Sequence, residues 1–328
     1  MIPAAFFSMP LGLIALGLAW RSAAAVWRVP PLIEELLNWS GSLLWMYFFA
    51  MYLAKWLWRR EAAEREFRDA VQCCFVGLAG VVALLASIAL APQVPKLAFV
   101  LFLLGSVWTL AFAVYRTGRL WMGGRKPEAT TAVLYLPTVA GSLVFASAAT
   151  GMGHADWGQL AFGAGLFAWL AIESVLLHRL YTAAELPPPL RPTLGIQFAP
   201  PSLAAATYLN VTGSGPDLLV HGLLGYSLLQ ALILVRMWPW LRAAGPTAGW
   251  WAFGFGAASL PTAALKLAAR GDTGVVGALA PWLFAAGNLV IAATIIMTIG
   301  LLIRGRLVPP PSVVAPPIVD APSVGDSK

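Results

Sequence analysis

The chain alternates long apolar runs with short polar breaks, and most runs reach the ~20 residues that an α-helix needs to cross a bilayer. Read from those breaks, ten helices are expected, over roughly residues 3–24, 32–54, 70–91, 96–115, 131–150, 157–178, 193–212, 217–236, 249–268 and 275–303. The links after the first, third, fifth, seventh and ninth are short, so neighbours are expected to pair as five antiparallel hairpins. The expectation is an all-α membrane protein with one transmembrane domain over 1–306. A Pro-rich tail over 307–328 has few residues able to form a core and is expected to be disordered.

Composition strengthens this reading. Hydrophobic residues make up 59% of the 328 and charged ones 11%, more apolar sequence than a soluble core absorbs. A net charge of +7 would fit nucleic acid, but its distribution excludes that partner. All 21 Lys and Arg except Arg21, Arg28, Lys96, Lys266 and Arg270 fall in the even-numbered links or at the C-terminal end. By the positive-inside rule those links face the cytoplasm, with both termini, in the inner (cytoplasmic) membrane. No basic residue precedes the first apolar run, while Arg21 and Arg28 follow it, so it is read as a retained span rather than a leader. Cys73 and Cys74 are adjacent in an apolar run, a poor geometry for a disulfide, and are read as small buried hydrophobes.

The chemistry of an enzyme is missing. His154, His178 and His221 fall in separate segments without a second ligand at metal spacing, and no phosphate-binding glycine loop occurs, so neither metal nor cofactor is expected. Glu173, in the sixth segment, is the one clear ionisable group at membrane depth. It is read as a structural carboxylate, paired with a basic group (His178 and Arg179 lie one turn on) or capping a neighbouring helix. The alternative is a proton or cation site. Mid-helix prolines favour odd segments: Pro10, Pro137, Pro200 with Pro201, and Pro261. Each frees a carbonyl that lipid cannot satisfy, so these helices belong inside or along a wet path. With Lys266 and Arg270 near the outer mouth, such a path would favour anions.

Five motifs carry a family resemblance. Phe7-Ser8-Met9-Pro10-Leu11-Gly12-Leu13 opens the first segment, and Leu134-Tyr135-Leu136-Pro137 lies in the fifth. Phe162-Gly163-Ala164-Gly165 runs on to Glu173 in the sixth, and Gly195-Ile196 with Ala199-Pro200 lies in the seventh. Trp251-Ala252-Phe253-Gly254-Phe255-Gly256 with Ala258-Ser259 lies in the ninth. In this order they resemble the tellurite-resistance/dicarboxylate transporter family, which includes TehA-type proteins and the slow anion channels of plant guard cells. The resemblance implies hairpins in a ring, odd helices around a central pore in each subunit, and a homotrimer. It implies pore-lining positions at Pro10, Gly12, Pro137, Pro200 and Leu203, and a pore block at Phe255. Ser8 departs from the glycine that TehA-type proteins often carry there. Glycines on both sides of Phe255 are expected to leave its ring little local bulk to hold it. The function expected is a passive anion channel, passing small inorganic or organic anions; rivals are a proton-coupled C4-dicarboxylate (malate-like) carrier or tellurite-resistance transporter, and a membrane enzyme or scaffold.

Overall fold

A computed structural model describes residues 2–125 and 129–308, and the expected tail lies almost wholly outside the described residues. The described chain is helical: α1 (Ser8–Ala24), α2 (Pro31–Trp58), α3 (Arg60–Arg68), α4 (Cys73–Val76), α5 (Leu78–Leu90), α6 (Pro95–Trp121) and α7 (Gly141–Gly151), followed by α8 (Ala155–Thr182), α9 (Ala199–Thr212), α10 (Leu218–Arg236), α11 (Trp238–Leu241), α12 (Gly254–Ala269) and α13 (Val275–Ile303). Eight helical stretches among the described residues are long and apolar enough to cross a membrane, which makes this a multi-pass membrane protein. Two of the ten expected spans fall short of that measure. The second is 28 residues long, but Glu34, Glu35, Lys55 and several Trp and Tyr lower its hydropathy. The seventh is 14 residues of α9 preceded by a 3-10 stretch, Pro188–Ile196.

Burial separates the helices into two kinds. The spans ending in α1, α5, α7 and α12 are 72–94% buried, whereas those of α6, α8, α10 and α13 are 22–33% buried. In α9 all but Tyr208, Asn210 and Thr212 are buried. The five buried helices touch in a closed cycle, α1 to α5 to α7 to α9 to α12 and back to α1, while α2, α6, α8, α10 and α13 each pack on the buried helix before them. The exposed helices show Leu104, Leu160, Leu232 and Leu289 outward, as a lipid-facing surface requires.

The buried helices run in parallel, since their C-terminal ends gather. Arg21 near the end of α1 donates to Ile88 O and Ala89 O at the end of α5, at 2.9 and 2.5 Å. Asn210 joins the ends of α9 and α7 by donating to Ser147 Oγ at 3.1 Å. At the opposite end α3, an amphipathic helix that the apolar pattern did not anticipate, folds under the start of the chain. There Glu66 accepts from Ala4 N at 2.8 Å and pairs with the buried Lys55 at 2.7 Å.

Most of the prolines do not kink helices as expected. Pro10, Pro200 and Pro201 occupy first helical turns, where a missing N–H costs little. Pro137 sits in a π-helical stretch, Leu136–Ala140, and Pro261 alone among those named lies inside a helix. Pro281, unremarked in the pattern, lies inside α13. Irregular turns of 3-10 or π type precede α1, α7, α9 and α12, and the expected third span is divided at Gly77. The entry ends of the buried helices are thus loosened together.

Candidate functional site

These irregular entries converge on a cavity at the centre of the cycle. All five buried helices or their entry turns line it: Ser8 and Leu11, Phe75 and Leu78, Tyr135 and Leu136, Pro200 and Leu203, Trp251 and Phe255. Its free volume of about 30 Å³ is no more than the room of one or two waters. No charged side chain lines it among the described residues, and the Ser8 hydroxyl turns back to Ala5 O at 2.6 Å. Phe255 is 8% exposed.

Of the residues implied to line a pore, Pro200, Leu203 and Phe255 meet at this cavity, whereas Pro10, Gly12 and Pro137 lie outside its wall. Gly12 instead sits where α1 meets α12: a Cβ there would stand 3.1 Å from the Trp251 ring and 3.5 Å from Gly254 Cα. Trp251 is held from behind, donating to Thr298 Oγ1 at 2.8 Å. The expectation that flanking glycines leave Phe255 loose is also revised. Gly254 is filled by α1 and Trp251, and a Cβ on Gly256 would meet the Phe198 ring at 2.7 Å. These glycines permit close approach, and Phe255 stands on a tightly packed stretch of backbone.

Glu173 is buried in α8, but no basic group pairs with it among the described residues, and it caps no helix. Neutral donors from three other stretches of chain and from its own helix surround it. Tyr226 donates at 2.6 Å, Gln230 at 2.9 Å, Gln197 at 3.0 Å, Trp169 at 3.1 Å, and the Tyr135 hydroxyl also donates. Hydrogen bonds to a carboxylate are stronger than neutral ones, so this group clamps α8, α10 and the entries to α7 and α9 together. Tyr135 lines the cavity and Gln197 lies between the lining residues Ile196 and Ala199, so the clamp holds two sections of the wall. Apolar periodicity missed these partners. The signal available was polar pairs at i, i+4 in otherwise apolar helices, Trp169 with Glu173 and Tyr226 with Gln230.

The two cations expected at an outer mouth, Lys266 and Arg270, differ in surroundings. Arg270 caps helix ends, donating to Leu209 O at 2.9 Å and Lys266 O at 3.3 Å. Lys266 donates to Asn210 Oδ1 at 2.6 Å. Cys73 and Cys74 are free and buried, with their sulfurs 3.9 Å apart.

The "Tellurite resistance protein TehA homolog" of Haemophilus influenzae is 33% identical over 306 residues, covering 93% of this chain and 92% of that protein. The "S-type anion channel SLAH2" of Arabidopsis thaliana is 25% identical over 283 residues, 80% of this chain and 52% of that protein. Residues 1–299 match the SLAC1 family, described as voltage-dependent anion channels, and over that match the chain belongs to the SLAC1 family.

Proposed function

We propose that this protein is a passive anion channel of the cytoplasmic membrane, closed in this conformation by Phe255. It crosses the bilayer ten times as five antiparallel hairpins around a central pore, with both termini cytoplasmic, and assembles as a homotrimer. Small inorganic or organic anions are its permeant partners, and no cofactor takes part.

The observation that carries this reading is the cavity. It lies on the axis of the five buried helices, is walled by apolar side chains and is occluded beside the Phe255 ring. A space of about 30 Å³ excludes a hydrated ion, and an apolar constriction of that width also expels water. Among the described residues the wall offers no carboxylate to hold a cation. First turns of the buried helices surround the constriction, and their partial positive charges favour anions. Names of the relatives support the same class, one being an anion channel and the other a tellurite-resistance protein.

The test is anion current through purified protein in planar bilayers. Phe255→Ala is expected to carry markedly more chloride or nitrate current than wild type, following voltage without a proton gradient. A folded Phe255→Ala with unchanged current removes the gate from this account. The second reading, a proton-coupled dicarboxylate carrier, draws on Glu173. That carboxylate lies outside the cavity wall and is occupied by neutral donors, which favours the clamp. A flux that saturates and follows the proton gradient would favour the carrier.

A further inference from the structure

Phe255 and Lys266 are eleven residues apart on α12, about three helical turns, so they share one face about 16 Å apart along the axis. The same holds on the neighbouring helices. Asn210 lies about two turns beyond the lining residue Leu203 on α9, and Ser147 about two turns beyond the lining residue Ala140. The faces that meet as apolar groups at the cavity thus continue outward as Lys266, Asn210 and Ser147.

These three are joined. Lys266 Nζ donates to Asn210 Oδ1 at 2.6 Å, Asn210 Nδ2 donates to Ser147 Oγ at 3.1 Å, and Ser147 Oγ donates to Thr207 Oγ1 at 3.0 Å. All three are half-buried, while Thr207 behind them is buried. The chain of bonds crosses from α12 to α9 to α7, so it spans three of the five helices.

The charge balance at this end singles out Lys266. Arg21 is paired with Glu34 at 2.5 Å, and Arg270 is spread over helix-end carbonyls. Lys266 has an amide oxygen as its hydrogen-bond partner and no carboxylate within ion-pair distance among the described residues. An ammonium drawn from water into a membrane protein is ordinarily matched by an opposite charge. Here the missing counter-charge is one that a mobile ion can supply.

We infer that Lys266, oriented by Asn210 and Ser147, is a holding station for a small monovalent anion such as chloride, bromide or nitrate on the outer side of the Phe255 constriction. This inference rests on the anion-path reading for its role in conduction, though not for binding. The ammonium supplies charge, and an anion that displaces the Asn210 carbonyl would bring the Asn210 amide and Ser147 hydroxyl into reach as further donors. Arg270 has a different part, closing the ends of α9 and α12. Attraction at the station raises the local anion concentration beside the constriction and repels cations.

Two measurements test this separately from the gate. Crystals soaked in bromide should show anomalous density beside Lys266 Nζ, and Lys266→Met should abolish it whereas Lys266→Arg keeps a basic site. Density absent in wild type overturns the station. In the Phe255→Ala background, Lys266→Met should lower conductance several-fold at low chloride, with less loss at high chloride, and move the reversal potential in a KCl gradient toward zero. Lys266→Arg should restore both. A folded Phe255→Ala/Lys266→Met protein with unaltered conductance and reversal potential overturns the role in conduction. Bromide at Lys266 together with no anion current in Phe255→Ala would uphold the station and reject the channel.

Discussion

The two halves of the central helix cycle solve opposite problems. Toward the entry ends, irregular turns bring apolar groups and Phe255 together until about 30 Å³ remains. Toward the C-terminal ends the same helices are regular, and their inward faces carry Ser147, Asn210 and Lys266. The first half excludes water, and the second offers hydrogen bonds and a positive charge. A path needs both, since a wholly apolar tube stays dry and a wholly polar one has no closed state. The difference arises on single helices: α12 changes character between Phe255 and Lys266.

The largest effect that would sharpen this contrast is expected from paired truncations on α12. Phe255→Ala should open the path. Thr262→Ala, on the same face about two turns further on, should leave current at the wild-type level. Thr262 already spends its hydroxyl on Ala258 O at 2.7 Å, so its loss empties no constriction. Bilayer current normalised to protein checks both, and equal opening by the two variants would break the division into halves. An ordinary core phenylalanine lost to alanine costs about 3–5 kcal/mol and opens nothing. A Phe255→Ala protein that merely unfolds therefore returns this ring to the core.

Next in size is the clamp beside the apolar half. Glu173→Ala leaves buried Tyr, Trp and Gln donors without their acceptor, at about 1–3 kcal/mol for each donor that finds no other partner. Thermal unfolding in detergent should show a large loss. Glu173→Gln keeps shape and one acceptor, so its loss should be smaller, with transport still insensitive to pH. Abolition of a proton dependence by Glu173→Gln, with stability unchanged, would instead support a coupled carrier.

Gly256→Ala tests whether Phe255 stands on packed backbone. The added methyl meets the Phe198 ring at 2.7 Å, and overpacking of this kind costs about 1–3 kcal/mol. Reduced thermal stability is expected, partly relieved by Phe198→Leu. A fully stable Gly256→Ala would mean that α12 and the entry to α9 are more loosely joined than the geometry shows.

Much of this contrast was readable in the chain. Runs of about 20 apolar residues mark most spans because lipid demands length and burial of every backbone group. The span that reads least clearly is the one with α9, whose entry is a 3-10 turn around Pro188–Ile196 with no helical period to detect. Prolines were informative about where irregular backbone lies, yet misleading about its form: Pro10 and Pro200 begin helices instead of bending them. Glu173 stands out as a membrane-depth charge, but all its partners except Trp169 come from three other stretches of chain. Periodicity reports what one helix buries and is silent on which distant tyrosine or glutamine reaches the same carboxylate. The Lys266 chain was hidden for the same reason, since Asn210 and Ser147 acquire meaning only when three helices are set side by side.

The smallest effect is expected at the rim of the polar half, where it meets the short link from α9 to α10. Asp217 is the N-cap of α10: Oδ1 accepts from Val220 N at 3.0 Å, and Oδ2 accepts from the Tyr208 hydroxyl at 2.6 Å. Tyr208 lies two residues before Asn210, so this cap also steadies the last turn of α9. The Tyr208 hydroxyl, then the Val220 N–H, hold the Asp217 carboxyl below its ordinary value of 3.8. Because the folded-state pKa is depressed, the stabilisation is full above the ordinary value and is lost as pH falls through the lower folded value. Asp217 is largely in contact with water, so the effect is modest: Asp217→Ala should cost about 1 kcal/mol at neutral pH. The gap between wild type and variant in thermal unfolding should persist down to about pH 4 and close only below it. A gap that closes between pH 5 and 7 would contradict the depressed carboxyl. A gap several times larger would mean that the polar half depends on this rim far more than its exposure implies.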